Sequence, residues 1–311
     1  MPVSLLVVGS IAFDAVRTPF GERERMLGGS AVHFSLAASF FSDVRVVGPV
    51  GDDFGDAEYA VLHDRGVNTD DVERVEGGET FFWRGHYEHD LNTAHTDDTR
   101  LGVFGDFEPK LSAASREADF VFLGNIQPDL QRQVREQCES AHLVGLDSMN
   151  LWIETTRDSL ERTIAGVDVV LMNDTEIRML TEEPSRVRAA GAVMALGPRA
   201  VVAKQGEYGA ALYTGSGFFA LPAYPLESIQ DPTGAGDSFA GGFLGYLASQ
   251  GGDATGDEGA LRRAMTYGSV LASFCVERFG TDRVRELSRD EIDARFDEFR
   301  RMTALDSVPA S

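Results

Sequence analysis

The chain has 311 residues, of which 43% are hydrophobic, so it has the length and the apolar content for one large domain with a buried core. Its 50 acidic and 28 basic residues give a net charge of −22, and only two of the basic residues, Lys110 and Lys204, are lysines. Such a charge would repel phosphate groups, which argues against nucleic acid and anionic membranes as partners.

Short β-branched runs alternate with longer helical patterns along the chain. These runs occupy residues 5–9, 44–51, 120–126, 143–147, 167–173 and 200–206. Unbroken apolar runs are typical of strands buried on both faces, so the alternation predicts a mostly parallel sheet covered by helices. No basic leader precedes the first run and no later run approaches ~18 apolar residues, so we expect a cytoplasmic protein.

Two segments interrupt this alternation, at residues 13–27 and 79–104. The second contains TFFWRGHYEHD, in which bulky and polar residues alternate. This pattern predicts a small strand-rich lid that projects from the main sheet, although an ordinary surface hairpin has the same periodicity. No linker or repeat divides the chain, so residues 1–311 are interpreted as a single α/β domain. Cys138 and Cys275 lack a metal or CxxC spacing and are expected to be buried, reduced thiols.

The most informative segment is DPTGAGDSFAGGFLGYLASQG, residues 231–251. Its second half predicts a helix that begins near Ala235 and packs inward. The apolar side chains on its inward face are Phe239, Phe243, Tyr246 and Leu247. The chemistry is therefore expected where this helix begins.

Small residues precede and open this helix, at Gly234, Ala235 and Gly236. They let backbone N–H groups converge at a helix N-terminus, which predicts an anion hole for a phosphoryl group in transfer. Asp237, in the first turn, fits a general base beside it. The alternative is a Gly-rich turn with a helix-capping acid. No Gly-Lys-Ser/Thr or GxGxxG pattern is present, which argues against P-loop NTPases and Rossmann dehydrogenases.

DPTGAGDSFAGGF closely resembles the C-terminal signature of the ribokinase-like (PfkB) carbohydrate kinases. GGSAVHFSLAASFF, residues 28–41, resembles the family's N-terminal Gly-Gly segment, and VGPVGDDFG, residues 47–55, matches the adjoining strand and turn. The resemblance extends from Val8 to about Glu277. It implies a three-layer ribokinase-like sandwich with a small β-strand lid, and a kinase that uses ATP and Mg²⁺.

The resemblance also implies which residues contact the acceptor. Asp14 stands where the family places an acid that hydrogen-bonds substrate hydroxyls, and a carboxylate can accept from two neighbouring hydroxyls. The substrate-side candidates are Asp14, Gly28, Gly29, His33, Asn125 and Gln127. His33 replaces the Asn of many sugar-binding relatives, and Gln127 replaces an acid of ribokinase proper. D-ribose is therefore not assigned as the acceptor.

The donor-side candidates follow from the same resemblance. NDTE, residues 173–176, is similar to the family's Asn-x-x-Glu motif, in which Asn173 and Glu176 would hold Mg²⁺ and its waters; a helix cap has the same pattern. The segment AKQGEYGAALY, residues 203–213, is similar to the strand and turn that approach the nucleotide. The cofactor-binding candidates are Lys204, Gly206, Gly209 and Thr233. Asp231 stands near the monovalent-cation position of some relatives, and K⁺ binding is left undecided.

These observations predict an ATP-dependent kinase that phosphorylates a hydroxyl of a sugar or sugar-like molecule, with Asp237 as the base. Two alternatives stay open. One is a nucleoside kinase of the same fold, favoured by the aromatic lid, and the other is a catalytically silent protein that binds a metabolite. Lids of this family often pair, so a homodimer through the lid is expected.

Overall fold

The computed structural model describes residues 4–251 and 256–304. A nine-stranded sheet forms its centre, with the spatial order β13-β12-β11-β10-β9-β8-β1-β4-β5. Its strands are β1 (Ser4–Val8), β4 (Asp43–Val50), β5 (Asn68–Arg74), β8 (Phe120–Leu123), β9 (Leu143–Leu146), β10 (Val169–Asn173), β11 (Ala200–Lys204), β12 (Ala210–Thr214) and β13 (Gly217–Leu221). The strands from β5 to β11 run parallel, and β12 and β13 are antiparallel.

Helices cover both faces of this sheet, so the domain has three layers and two apolar cores. The first face carries α1 (Ser30–Ala38), α2 (Asp56–His63), α9 (Ala235–Gln250), α10 (Glu258–Cys275), α11 (Asp282–Glu286) and α12 (Arg289–Thr303). The second carries α4 (Pro128–Gln137), α5 (Asn150–Thr155), α6 (Arg157–Ile164), α7 (Asp174–Thr181) and α8 (Arg186–Ala195), with the one-turn α3 (Ala113–Arg116) beside them. The α/β class predicted from the apolar runs is confirmed.

A second sheet of four strands, in the order β3-β2-β6-β7, adjoins the first. It consists of β2 (Ala12–Thr18), β3 (Gly21–Gly28), β6 (Phe81–Tyr87) and β7 (Ala94–Arg100). Strand β2 pairs with β6 in parallel, and this register places Asp14 opposite Trp83. Residues opposite each other on paired strands point to the same face. The strands match the two segments assigned to a lid from sequence, 13–27 and 79–104, except that β2 begins and β3 ends one residue outside the first segment.

Helix α9 begins at Ala235, as the spacing of its apolar residues predicts, and residues 238–248 are all buried. It packs between α1 and α10, which explains why the helix is apolar on every side rather than on one stripe. A helix held on all sides keeps its first turn in one place. The residues of that turn are therefore presented on a rigid support.

Candidate active site

Polar side chains collect where the parallel strands of the central sheet end. Asp147 directly follows β9, Asn173 is the last residue of β10, and Lys204 is the last residue of β11. Because the carboxyl ends of parallel strands share one edge, residues distant in sequence meet there. The first turn of α9 faces the same group of side chains, since Lys204 lies against Gly236.

The turn before α9 has the backbone geometry of an anion-binding site. Gly234 has φ 77° and ψ 0°, which is the left-handed conformation that favours glycine, and a Cβ there would overlap the His33 ring. Among the described residues, the Gly234 and Gly236 N–H groups have no protein acceptor. The Ala235 N–H donates to Pro232 O at 3.2 Å. Of the three amides predicted from sequence to form an anion hole, those of Gly234 and Gly236 are therefore free in this structure.

Asp237 is partly buried in the first turn of α9, beside these amides. Burial raises the pKa of its carboxyl to about 7, and the neighbouring Asp147 charge adds to the rise while Lys204 opposes it. A carboxylate with this pKa is a stronger proton acceptor than an exposed one. The position and the pKa of Asp237 therefore suit a general base that works near neutral pH.

Lys204 forms a buried ion pair with Asp147. The two groups are 2.7 Å apart, and their side chains are 17% and 7% exposed. Burial works against the lysine charge, but Asp147 and Glu176 outweigh it and raise the pKa of Lys204. Its Nζ atom lies 3.1 Å from the position that a Cβ atom would take on Gly236. A permanent positive charge therefore adjoins the anion hole.

Asn173 and Glu176 form a reciprocal helix cap at the start of α7. Asn173 Oδ1 accepts the Glu176 N–H, and Glu176 Oε2 accepts the Asn173 N–H, each at 2.8 Å. The helix-cap alternative thus describes their present contacts. Glu176 Oε1 has no hydrogen-bond partner among the described residues, and burial, followed by the Asp147 charge, raises the pKa of Glu176 to about 7. One carboxylate oxygen is therefore left to act at the site.

Asp231 is fully buried under the loop that leads to α9. Its oxygens accept N–H groups from Thr233 at 2.9 Å and from Gly280 at 3.0 Å. Burial raises the pKa of Asp231 despite these bonds. In this structure, Asp231 fixes the shape of the Thr233 turn from below.

Asp14 marks the acceptor side of the site. Its side chain is 6% exposed and lies against Gly28, where any Cβ atom would overlap the carboxylate. Burial raises the pKa of Asp14 to about 7, with further contributions from Asp231 and Asp237. Asp14 is therefore near enough to Asp231 and Asp237 for their charges to act on it. Gly29 caps the N-terminus of α1 beside them.

His33 packs against the turn that contains Gly234. Its ring is 2% exposed and lies against Gly234, and burial lowers its pKa to about 4. His33 Nδ1 lies 3.9 Å from Cys275 Sγ, which in turn donates to Thr233 O at 3.5 Å. The neutral ring therefore packs against the glycine peptide, and the substrate contact predicted from sequence stays a prediction.

The side chains of Asn125 and Gln127 differ in their hydrogen bonds. Asn125 Oδ1 accepts the Trp152 indole N–H at 2.9 Å, so its carbonyl oxygen already has a partner. Gln127 is exposed at the start of α4, and its side chain makes no hydrogen bond to the described residues. Neither side chain contacts the Asp14 and Asp237 cluster directly.

The inner face of the four-stranded sheet is aromatic. Trp83, Gly85 and Tyr87 alternate along β6, and the register with β2 puts them on the same face as Asp14. The Trp83 indole lies over Gly85, where a Cβ would overlap the ring, and its N–H donates to Thr96 Oγ1 at 3.1 Å. The register thus places Asp14 and Trp83 at adjacent positions on β2 and β6, and the indole extends over Gly85 toward β7.

Two contacts connect this sheet to the donor side. The Thr233 hydroxyl donates to Tyr87 Oη at 3.3 Å, beside the anion hole. Asn92, in the turn between β6 and β7, donates to Glu207 Oε1 at 3.2 Å and lies against Gly206. Gly209 ends the same short turn. The small sheet therefore contacts both segments that were assigned to the nucleotide.

Sequence reasoning missed Asp147, Tyr87 and Cys275 as members of the site. Asp147 had a signal, because it directly follows a buried run, as Asn173 and Lys204 do. Tyr87 was noticed only as one lid aromatic among several. Cys275 is buried as expected, but its position under Thr233 depends on a contact between residues far apart in the chain.

Within the described residues, no group of three or more His, Cys, Asp or Glu side chains is arranged to hold a metal ion by itself. No helix in the same part of the chain has both the length and the apolarity to cross a bilayer.

Comparison with known proteins identifies several relatives. The chain is 30% identical over 256 residues to a cytidine kinase from Thermococcus kodakarensis, covering 78% of this chain and 88% of the relative. It is 28% identical to an ATP-dependent ribose-1-phosphate kinase from Halopiger xanaduensis, covering 81% of each chain. A putative ribokinase II from E. coli, in complex with ATP and Mg²⁺, superposes with a TM-score of 0.78 at 18% identity, covering 95% of this chain and 99% of that chain.

The family model described as "pfkB family carbohydrate kinase" matches residues 4–286. This span contains both sheets and every site residue discussed above. The family predicted from the signature at residues 231–243 is thereby confirmed, and the chain belongs to the pfkB family of carbohydrate kinases.

Proposed function

We propose that the protein is an ATP-dependent kinase that transfers the γ-phosphoryl group to a hydroxyl of a sugar or nucleoside. One observation carries the proposal: Asp237, whose pKa is raised to about 7, lies in the first turn of α9 beside the free amides of Gly234 and Gly236. A base and an anion hole on one rigid helix end meet the two requirements of phosphoryl transfer.

In the proposed reaction, Asp237 accepts the proton of the acceptor hydroxyl as its oxygen attacks the γ-phosphorus. The bond to the bridging oxygen breaks, and ADP leaves. Charge on the transferred phosphoryl group is stabilised by the two amides and by the Lys204 ammonium beside them. Asp14 orients the acceptor by accepting hydrogen bonds from its other hydroxyls. On the acceptor side, Gly28 and Gly29 have no Cβ atom and let the backbone approach the acceptor closely. Gly206 and Gly209 do the same for the nucleotide.

Mg²⁺ fits this site as a companion of the triphosphate. The ion usually keeps several waters and is held by one or two carboxylates together with substrate phosphates, so a closed cage of protein ligands is not needed. Glu176, with one free carboxylate oxygen, and Asn173 would hold its waters. When bound, the ion neutralises phosphate charge.

The cofactor proposal also includes a K⁺ ion near Asp231. Both oxygens of Asp231 already accept backbone N–H groups, so a cation would have to use their remaining lone pairs. Equal rates in K⁺ and in tetramethylammonium buffers would remove the ion from the proposal.

The four-stranded sheet is proposed to act as a lid that covers the acceptor and excludes water from the site. Its contacts with Thr233 and Glu207 support this role, because they join the sheet to the donor side. A homodimer formed through the lid and a cytoplasmic location complete the proposal. Light scattering would test the dimer.

A nucleoside is the acceptor class that the lid favours most. Trp83 lies opposite Asp14 on the same face of the sheet, so its indole could stack on a base while Asp14 binds the ribose hydroxyls. The cytidine kinase similarity agrees with this choice. A free sugar offers hydroxyls but no aromatic ring for the indole.

The test is ADP release with ATP and a panel of acceptors: cytidine, adenosine, inosine, ribose, fructose and ribose 1-phosphate. We expect turnover with at least one nucleoside, and a kcat for that acceptor lowered by roughly 10³-fold in the Asp237→Asn variant. Turnover of a free sugar alone would replace the nucleoside choice but keep the kinase. Tight binding of an acceptor without phosphate transfer would favour the silent metabolite-binding protein.

A further inference from the structure

One ammonium group faces three carboxylates at the carboxyl edge of the sheet. Lys204 Nζ is 2.7 Å from Asp147 Oδ2, and the charges of Glu176 and Asp237 also act on it. Asp147 is the carboxylate that holds it. This residue is 5% exposed, and its other oxygen accepts the Ser148 N–H at 2.8 Å, so its orientation is fixed from both sides.

The backbone of Asp147 is fixed as well. The buried Gln131 amide donates to Asp147 O at 2.9 Å and to Gly124 O at 2.8 Å, which ties the ends of β8 and β9 together. A carboxylate held by its side chain and its backbone has little freedom to follow a moving partner. The ammonium of Lys204 is therefore located by Asp147, rather than the reverse.

We propose that Asp147 is a positioning residue for phosphoryl transfer, which it performs by holding the Lys204 ammonium against the Gly236 peptide. This role rests on the proposed function, in which that peptide contributes to the anion hole. Asp147 itself touches neither the base nor the predicted substrate contacts. Its charge also contributes to the raised pKa of Asp237, but the positioning role is exerted through Lys204.

The physical reason is competition for a single cation. A buried ammonium pairs with the nearest available anion, because leaving it unpaired is costly. Without Asp147, the lysine would turn to Asp237 or Glu176. A direct ion pair with Asp237 would weaken the base, since a neighbouring positive charge stabilises its ionised form. It would also withdraw positive charge from the anion hole.

The test is a double-mutant cycle with Asp147→Asn, Lys204→Met and the double variant, measured as kcat and as KM for ATP. We expect Asp147→Asn to lower kcat by about 10²-fold, the loss typical of misplaced catalytic groups. Because Asp147 acts through Lys204, the double variant should be no slower than Lys204→Met. Near-normal kcat in Asp147→Asn, or a double variant that shows the product of the two single losses, would overturn the proposal.

Asp168→Asn is the matched control. Asp168 lies at the opposite edge of the same sheet, where it accepts the Val144 N–H at 2.9 Å and pairs with Arg199 at 3.2 Å. The Asp168→Asn substitution should lower the midpoint temperature of unfolding but leave kcat unchanged. An equal fall of kcat in this control would reduce the Asp147 effect to general destabilisation.

Two further measurements distinguish a folding defect from a catalytic defect, and failure of this proposal from failure of the proposed function. The double variant removes both buried charges, so it should fold even if Asp147→Asn, which takes away the present partner of the buried ammonium, does not. If the wild-type protein phosphorylates no acceptor, the proposed function fails by itself. ATP affinity by calorimetry then still tests the pairing, since Asp147→Asn should weaken ATP binding no more than Lys204→Met does.

Discussion

The donor side and the acceptor side of the proposed site are formed by different kinds of structure. On the donor side, backbone amides, a buried ion pair and a helix locked on all sides set the geometry. On the acceptor side, the working groups stand on a four-stranded sheet whose outer strand β7 is largely exposed. The first arrangement tolerates little change, whereas the second can vary one side chain at a time. Under the proposed function, the donor side would set the reaction type and the four-stranded sheet would set the choice of acceptor.

The largest effect should follow from removing the base, which both sides need. Asp237→Asn keeps the shape of the side chain but cannot accept the proton, so kcat should fall by roughly 10³-fold, within the usual range for a general base. ATP binding, measured by calorimetry, should change little. Turnover close to the wild-type rate would take the base role away from Asp237.

Gly234→Ala tests whether backbone geometry governs the donor side. The new Cβ would overlap the His33 ring at a positive φ, so the amides should shift and kcat should fall by about 10²-fold. Gly215→Ala is the control, because no atom lies within 4 Å of its Cβ position. Equal kcat in the two variants would mean that this turn is not the phosphoryl site.

The pH profile compares the two sides directly, since Asp237 and Asp14 both have a pKa raised to about 7. Both act as ionised carboxylates, so kcat/KM for the acceptor should fall as pH drops below about 7. One required carboxylate gives about tenfold per pH unit, and two give a steeper limb. Asp14→Asn should return the slope to that of one group. A flat profile from pH 5.5 to 7.5 would contradict both assignments.

The smallest effect should come from the lid. Trp83→Ala removes a stacking surface worth about 1 kcal/mol, so KM for a nucleoside should rise roughly fivefold. KM for ATP should not change. Phe218→Ala, at an exposed aromatic on the far sheet edge, is the control. A rise in the KM for ATP that equals the rise for the nucleoside would place the indole outside the acceptor pocket.

The sequence allowed much of the fold to be predicted because buried strands are continuous apolar runs. All six predicted runs became strands of the central sheet. Strand β5 was not predicted, because NTDDVER at the sheet edge is polar and has no apolar run. Edge strands need only one covered face, so hydropathy does not reveal them.

In the candidate site, too, features formed by neighbouring residues could be predicted from sequence, whereas contacts between residues far apart in the chain could not. The anion hole and Asp237 lie within a few consecutive residues, so a motif was enough to predict them. The Lys204 and Asp147 pair joins residues 57 positions apart, and the His33 and Cys275 contact joins residues 242 positions apart. Such pairings depend on how strands and helices stack in three dimensions. The sequence alone therefore left His33 assigned to the substrate and Asp147 unassigned.

The pairing of β2 with β6 has a consequence for the selection of acceptors. Asp14 and Trp83 occupy opposite positions on hydrogen-bonded strands, so their separation is set by the sheet and not by the angle between the sheet and the body of the protein. In the proposed kinase, this fixed strand spacing would select acceptors by the distance between a hydroxyl and a ring. Engineering a new acceptor would then begin with the pairing of Asp14 and Trp83.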